Sequence, residues 1–196
     1  MTIQANPRVN REVYKPRLET LAEMLLNEIA PDWKQDPHMQ DTPKRYAKWW
    51  EEFLNPDSLS STMTTFPQSQ VDQMVVVSDI HVWSLCAHHL LPFDATVSIG
   101  YLADGEVLGL SKFARIAEVA AARPTSQEAL VDRIADSIQQ ITGTQSVAVR
   151  ASGTHLCMSM RGVKAPALMT TSVTRGMFRD DVKTRDEWLE LSRAAR

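Results

Sequence analysis

The chain has two cysteines and five histidines, and both cysteines lie within three positions of a histidine. Cys86, His88 and His89 share the apolar segment SLCAHHLLPF, and His155 and Cys157 share THLCMSMRG. Cys86 and His89 have C-x-x-H spacing on a turn expected before LLPF, a separation that lets two side chains reach one metal ion. That arrangement leaves His88 facing another way. If HLCMSM is a strand, His155 and Cys157 project from the same face, because side chains alternate along a strand. Cys86, His89 and Cys157 then make a three-ligand set suited to zinc, with a fourth tetrahedral position open to water. His88 and His155 would sit close to that water, where a neutral imidazole moves protons near pH 7. Such an assembly is metal-assisted hydrolase chemistry, since zinc lowers the pKa of bound water to about 7. The rival is a structural zinc closed by His155 or His88 as fourth ligand, and the bland alternative is burial alone.

Anion contacts are also available. GLSKFARI places Ser111, Lys112 and Arg115 at a helix start, with Ser111 as the expected cap, where free backbone N–H groups and the helix dipole favour phosphate. Arg161, four residues after Cys157, can bring a second guanidinium to the same pocket. Gln127 and Glu128 open a further helix, where an acidic residue is favourable for dipole reasons alone.

These residues need a scaffold. PRLETLAEMLLNEIAPDW predicts a helix with Leu18, Leu21, Leu25 and Ile29 on one face, and QDTPKRYAKWWEEFLNP a second helix with Tyr46, Trp49, Trp50 and Phe53 in register. The Ser/Thr-rich segment that follows reads as a linker, so residues 1–67 form a helical arm and linker and residues 68–196 the main domain. MVVVSDIHVWSL predicts a buried strand, FDATVSIGYL an alternating one, and ADGE a hairpin turn leading to an adjacent strand in VLGL. Two helices follow, the second carrying Leu130, Ile134, Ile138 and Ile141 and closing at Gly143. Strands return in SVAVRA, HLCMSM and APALMTTSVT before a terminal helix. This order predicts an α+β domain on an antiparallel sheet.

Composition narrows the function class. At 43% hydrophobic and 23% charged residues the chain is ordinary globular protein, and a net charge of -3 without basic runs argues against nucleic acid as a partner. The N-terminus lacks the apolar core of a secretory signal and no segment is apolar enough to span a membrane, so a cytoplasmic protein without a membrane partner is expected. In that compartment the cysteines are candidates for metal binding rather than a disulfide.

SLCAHHLLPF, GLSKFARI, RPTSQEAL, HLCMSMRGV and TTSVTRGMF, in this order, resemble GTP cyclohydrolase I of the zinc-dependent type, with DTPKRYAKWW and TRDEWL extending the likeness over about residues 40–190. The resemblance implies the tunnelling fold: a four-stranded antiparallel sheet with helices on one face, assembled into a toroidal homo-oligomer, usually a decamer, with active sites between subunits. It implies zinc on Cys86, His89 and Cys157, and proton transfer by His88 and His155. It assigns the ribose-triphosphate end of GTP to Ser111, Lys112, Arg115 and Arg161, with Ser111 also in the catalytic set, and the guanine to Gln127 and Glu128. The implied product is 7,8-dihydroneopterin triphosphate, with release of formate. The chain departs from the family pattern at Ala87, where Glu is usual, at Thr125 (Gln), at Ala129 (Arg) and at Ala95 (Gly). The departures put substrate preference, GTP against its deoxy analogue, and rate in question more than reaction class. The other readings are a guanine-nucleotide-binding protein with a closed zinc and no turnover, and a nitrile reductase, which needs a metal-free cysteine.

Overall fold

A computed structural model describes residues 11–56, 63–67, 69 and 73–193. The chain forms two compact units, one carrying helices α1 (Arg11–Ile29) and α2 (Thr42–Leu54), the other everything from the first strand onward. In the helical unit, Ala22 and Leu26 of α1 and Pro43 and Ala47 of α2 are buried. The residues of the leucine-rich face are not the buried ones: Leu21, Leu25 and Ile29 are 57%, 50% and 67% exposed. Ala22 and Ala47 explain the choice, because small side chains allow the backbones of two helices to approach closely. The aromatic row of α2 holds together along the helix, with Trp49 and Phe53 stacked at 5.8 Å.

The larger unit is built on a sheet of order β5-β2-β3-β6-β7. Its four long strands, β2 (Gln73–Cys86), β3 (Pro92–Ala103), β6 (Val147–His155) and β7 (Leu168–Thr174), are antiparallel, as expected. A two-residue strand β5 (Pro124–Thr125) runs parallel to the end of β2. Alternation explains which face is dry. Phe93, Ala95, Val97, Ile99 and Tyr101 of β3 pack with Val147, Val149 and Ala151 of β6 against helices α3 (Leu110–Ala121) and α4 (Gln127–Thr142). Leu130, Ile134 and Ile138 of α4 are fully buried there, and Gly143 ends the helix in the left-handed region at φ 78°.

The opposite face is not left bare along its whole length. A short helix α6 (Met177–Asp180) and helix α7 (Val182–Leu191) follow, and Phe178 of the first and Trp188 of the second pack on Ala148. Gly100 is required beneath α7, since a Cβ there would lie 2.5 Å from the Trp188 ring.

Two local expectations are corrected. VLGL does not continue the sheet: β4 (Glu106–Leu108) pairs with β1 (Thr65–Pro67), a segment read from composition as linker. The cause is the bend at Gly105 together with the Tyr101 hydroxyl, which accepts the Leu108 N–H at 2.8 Å and draws the chain off the sheet. Ser111 does not cap α3, because the cap position is Gly109, whose N–H donates to the Thr64 carbonyl at 3.1 Å.

Candidate metal centre and surrounding site

The strand register gathers the candidate residues at one end of the sheet. Leu85 pairs with Pro92, Phe93 with His155, and Cys86 with Thr125 just ahead of α4. The end of β2, the start of β3, the end of β6 and the first turn of α4 therefore meet.

Cys86 is buried, and the turn after it is tightly held. The Cys86 N–H donates to the Leu91 carbonyl at 2.9 Å, and the Leu90 N–H to the Cys86 carbonyl at 2.8 Å, with Leu90 at φ 53°. The Ala87 N–H donates to the Thr125 carbonyl at 3.1 Å, pinning the turn to β5. His88 and His89 are exposed on this turn. His88 does not face away as expected, since its Nδ1 lies 3.8 Å from the Cys86 Sγ.

Cys157 reaches the same place by a different route from the one its sequence predicts. HLCMSM is not a strand: β6 stops at His155, and Leu156–Ser159 form a helical turn, α5. His155 and Cys157 are thus not alternate residues of one strand. The Ser159 hydroxyl donates to the His155 carbonyl at 3.2 Å, and the Met160 N–H to the Leu156 carbonyl at 3.0 Å, which closes the turn. Coiling brings Cys157 back toward Cys86.

One nitrogen of His89 and the sulfurs of Cys86 and Cys157 lie within 4.8 Å of one another. The Cys86 Sγ to His89 Nδ1 distance is 3.7 Å. Two ligands of a tetrahedral zinc at its usual bond lengths stand roughly 3.5–3.8 Å apart, so the donor types and the Cys86–His89 spacing fit that ion. Burial and the adjacent Cys86 sulfur push the Cys157 thiol up, with Arg161 opposing. A divalent cation reverses that balance by favouring thiolate. Arg161 stands against the cluster, its Nη1 2.8 Å from His89 Nε2.

His155 lies flat on Phe93, ring centroids 4.5 Å apart and planes 8° from parallel. Burial lowers its pKa below the ordinary histidine value, with Glu128 and Asp94 opposing. Its Nε2 lies 3.0 Å from the Oε1 of Gln127. Gln127 is fully buried, and its Nε2 donates to the carbonyls of Ala151 and Met169 and to the Thr171 hydroxyl, each at 3.1 Å. The side chain that the resemblance assigns to guanine is therefore spent inside the protein. Glu128, the next residue, is exposed and lines a cleft of about 360 Å³ with Val131, Asp132, Thr171, Ser172 and Val173. A second cavity of about 470 Å³ on the polar sheet face, lined in part by Asp79, Asp94, Arg150 and Arg193, contains neither cysteine.

The departures Thr125 and Ala95 have local partners. The Thr125 hydroxyl accepts from Arg133 Nη2 at 2.7 Å, and Ala95 is buried opposite Gly153. Gly153 leaves no room: a Cβ there would lie 2.3 Å from the Asp94 carbonyl oxygen and 2.8 Å from Gln127 Oε1. Gly153→Ala is expected to cost about 1–3 kcal/mol as an overpacked site, read as a melting temperature lower by several degrees.

Ser111, Lys112 and Arg115 are not brought to the cluster within one chain. The C-terminal end of α3 is the near one, where the Ser84 hydroxyl donates to the Ala121 carbonyl at 2.8 Å. The N-terminal end packs by Phe113 on Tyr101, eight residues along β3 from Phe93, a span of about 26 Å for an extended strand. What sequence reasoning missed is Gln127 as a buried partner of His155. Its place directly after the Ser126 cap was the one available signal, since it puts Gln127 on the first turn of α4.

The family described as GTP cyclohydrolase I matches residues 18–193. The chain is 44% identical to GTP cyclohydrolase 1 of Methylococcus capsulatus over 179 residues, covering 89% of this chain and 96% of that one. It is 46% identical to the protein of that name from Chromohalobacter salexigens, covering 78% and 85% of the two chains. For the Aquifex aeolicus protein of the same name the identity is 40%, over 90% and 96%.

Proposed function

The chain belongs to the GTP cyclohydrolase I family, and from that premise we propose that it opens the imidazole ring of GTP by zinc-assisted hydrolysis, releasing formate and forming 7,8-dihydroneopterin triphosphate. The observation that carries this reading is the convergence of Cys86, His89 and Cys157 beside His155, at the end of the sheet where α4 presents Glu128. Cys86, His89 and Cys157 would hold the zinc. When bound, that ion supplies Lewis acidity and draws the pKa of a coordinated water to about 7.

The chain's own residues do the rest. His155, stacked on Phe93, takes up a proton to become imidazolium and passes it to N7 of guanine as C8 is attacked, returning to the neutral ring. His88, exposed next to the Cys86 sulfur, takes protons from the hydrolytic water. The Glu128 carboxylate accepts two hydrogen bonds from the N1–H and 2-amino edge of guanine, an edge adenine lacks. Arg161 meets the phosphate-bearing end of the substrate from the His89 side.

Ser111, Lys112 and Arg115 serve the triphosphate and the catalytic set from another copy of the chain, since their helix end is remote from the cluster in their own. A toroidal homo-oligomer, a decamer by family likeness, supplies that copy. Among the described residues β7 is paired on one side only, and β2 has an outer neighbour only at Leu85 and Cys86. Closure of copies edge to edge satisfies such strands. Among the described residues no helix is long and apolar enough to cross a membrane; we place the protein in the cytoplasm.

Glu128→Gln tests the base-reading role. A hydrogen bond to a charged group contributes roughly 1.5–3 kcal/mol, so KM for GTP is expected to rise about ten- to a hundredfold with zinc content unchanged. An unaltered KM removes Glu128 from the site. The reading as a whole is tested by formate release from GTP by the zinc-loaded protein, with dGTP in parallel, and by its loss on chelation.

A further inference from the structure

The parallel stacking of His155 on Phe93 fixes the plane of the imidazole but not which way round it lies. A half-turn about χ2 keeps the stack while exchanging Nδ1 with Cδ2 and Nε2 with Cε1. Something else must choose between the two, and the contact available is the Gln127 amide at 3.0 Å.

The direction of that amide is set by chemistry. Its other end faces the backbone carbonyl oxygens of Ala151 and Met169, which can only accept, so the NH₂ group must point there. An amide turned the other way would set its oxygen against two carbonyl oxygens in a buried site, leaving all three without a donor. Oε1 is therefore the only atom Gln127 can offer to His155, and an oxygen there is satisfied by Nε2–H and not by a ring carbon.

We propose that Gln127 is a positioning residue for His155: it holds the ring with Nε2–H directed into the protein and presents Nδ1 as the nitrogen that meets the substrate. Because the same amide bonds Ala151 of β6 and Met169 and Thr171 of β7, it also ties the first turn of α4, and with it Glu128, to the strand that ends in His155. The nitrogen that handles the proton and the carboxylate that reads the base are thereby held in one frame. The inference rests on the proposed cyclohydrolase reading for its consequence in turnover, but not for the ring orientation itself.

Two substitutions separate positioning from mere structure. Gln127→Met keeps the length and removes the acceptor. Gln127→Glu keeps an acceptor for Nε2–H but sets a second oxygen against the Ala151 and Met169 carbonyls, so it is the more disruptive change for packing. Positioning predicts that Gln127→Met lowers kcat about ten- to a hundredfold with KM within about threefold and zinc retained, and that Gln127→Glu recovers much of the lost kcat. A purely structural role predicts the reverse order, and that order, or unchanged kcat in Gln127→Met, overturns the proposal. If neither variant folds, the wild-type protein decides: nitrogen-15 solid-state spectra of histidine-labelled protein, with His155 assigned by difference from His155→Asn, must show Nε2 protonated and Nδ1 bare in the neutral ring. The opposite tautomer overturns it, whereas failure of wild-type protein to release formate would sink the cyclohydrolase reading and leave this spectral result standing.

Discussion

A Cys157→Ser protein is expected to lose its zinc and its turnover together. The hydroxyl is a poor donor to zinc at neutral pH, whereas the thiol it replaces stands within 4.8 Å of both the Cys86 sulfur and a His89 nitrogen. Changes in residues that only support metal ligands already cost about ten- to a hundredfold in metal affinity or activity. Removing one of three direct ligands must cost more, so formate release should fall by at least about a thousandfold in metal-limited buffer. The fold should survive, because Cys157 lies on a partly exposed turn outside the strands that carry the core. Elemental analysis is the check, with about one zinc per chain expected in the wild type and nearly none in the variant. Full zinc occupancy in Cys157→Ser would mean that this residue is not a ligand.

His155→Ala should behave in the opposite way. Zinc content is expected to stay at the wild-type level, while kcat falls about a hundred- to ten-thousandfold, the usual contribution of a positioned proton donor. The reason lies in the geometry: His155 Nε2 is engaged by Gln127 at 3.0 Å, and the three-donor cluster forms without this ring. A closed structural zinc with His155 as fourth ligand predicts that the same variant loses its metal. The pair of variants thus separates hydrolase from metal-stapled binding protein by two readouts, metal content and formate.

How far the site was legible depended on how local each feature is. The C-x-x-H relation of Cys86 and His89 is a property of one turn, and the turn forms as its residues predict. The burial of Leu130, Ile134 and Ile138 and the stop at Gly143 were equally local. Cys157 shows the limit. Its apolar alternation reads as strand, but among the described residues β6 has no partner beyond the His155–Phe93 and Thr154–Leu168 pairs, so the chain coils where the ladder ends. Helix α1 forms as its periodicity predicts, but periodicity marks an apolar stripe without telling which residues a neighbouring helix will cover. Gln127 failed differently. The resemblance assigns its side chain to the base, and only the placement of three buried acceptors around it shows where its hydrogen bonds go.

The amino-acid sequence by itself determined the chemistry available: two thiols, a C-x-x-H turn, a histidine two residues before the second thiol, and an acidic residue on the first turn of a helix. It also determined the class of fold, since side-chain periodicity is a short-range property. Only the tertiary structure decided which of these groups meet. Strand register carries Leu85 to Pro92 and Phe93 to His155, collecting residues some seventy positions apart at one end of the sheet, and the same register leaves Ser111, Lys112 and Arg115 at the other. Register is set by the summed burial of whole strands, and no short segment of the chain contains that sum.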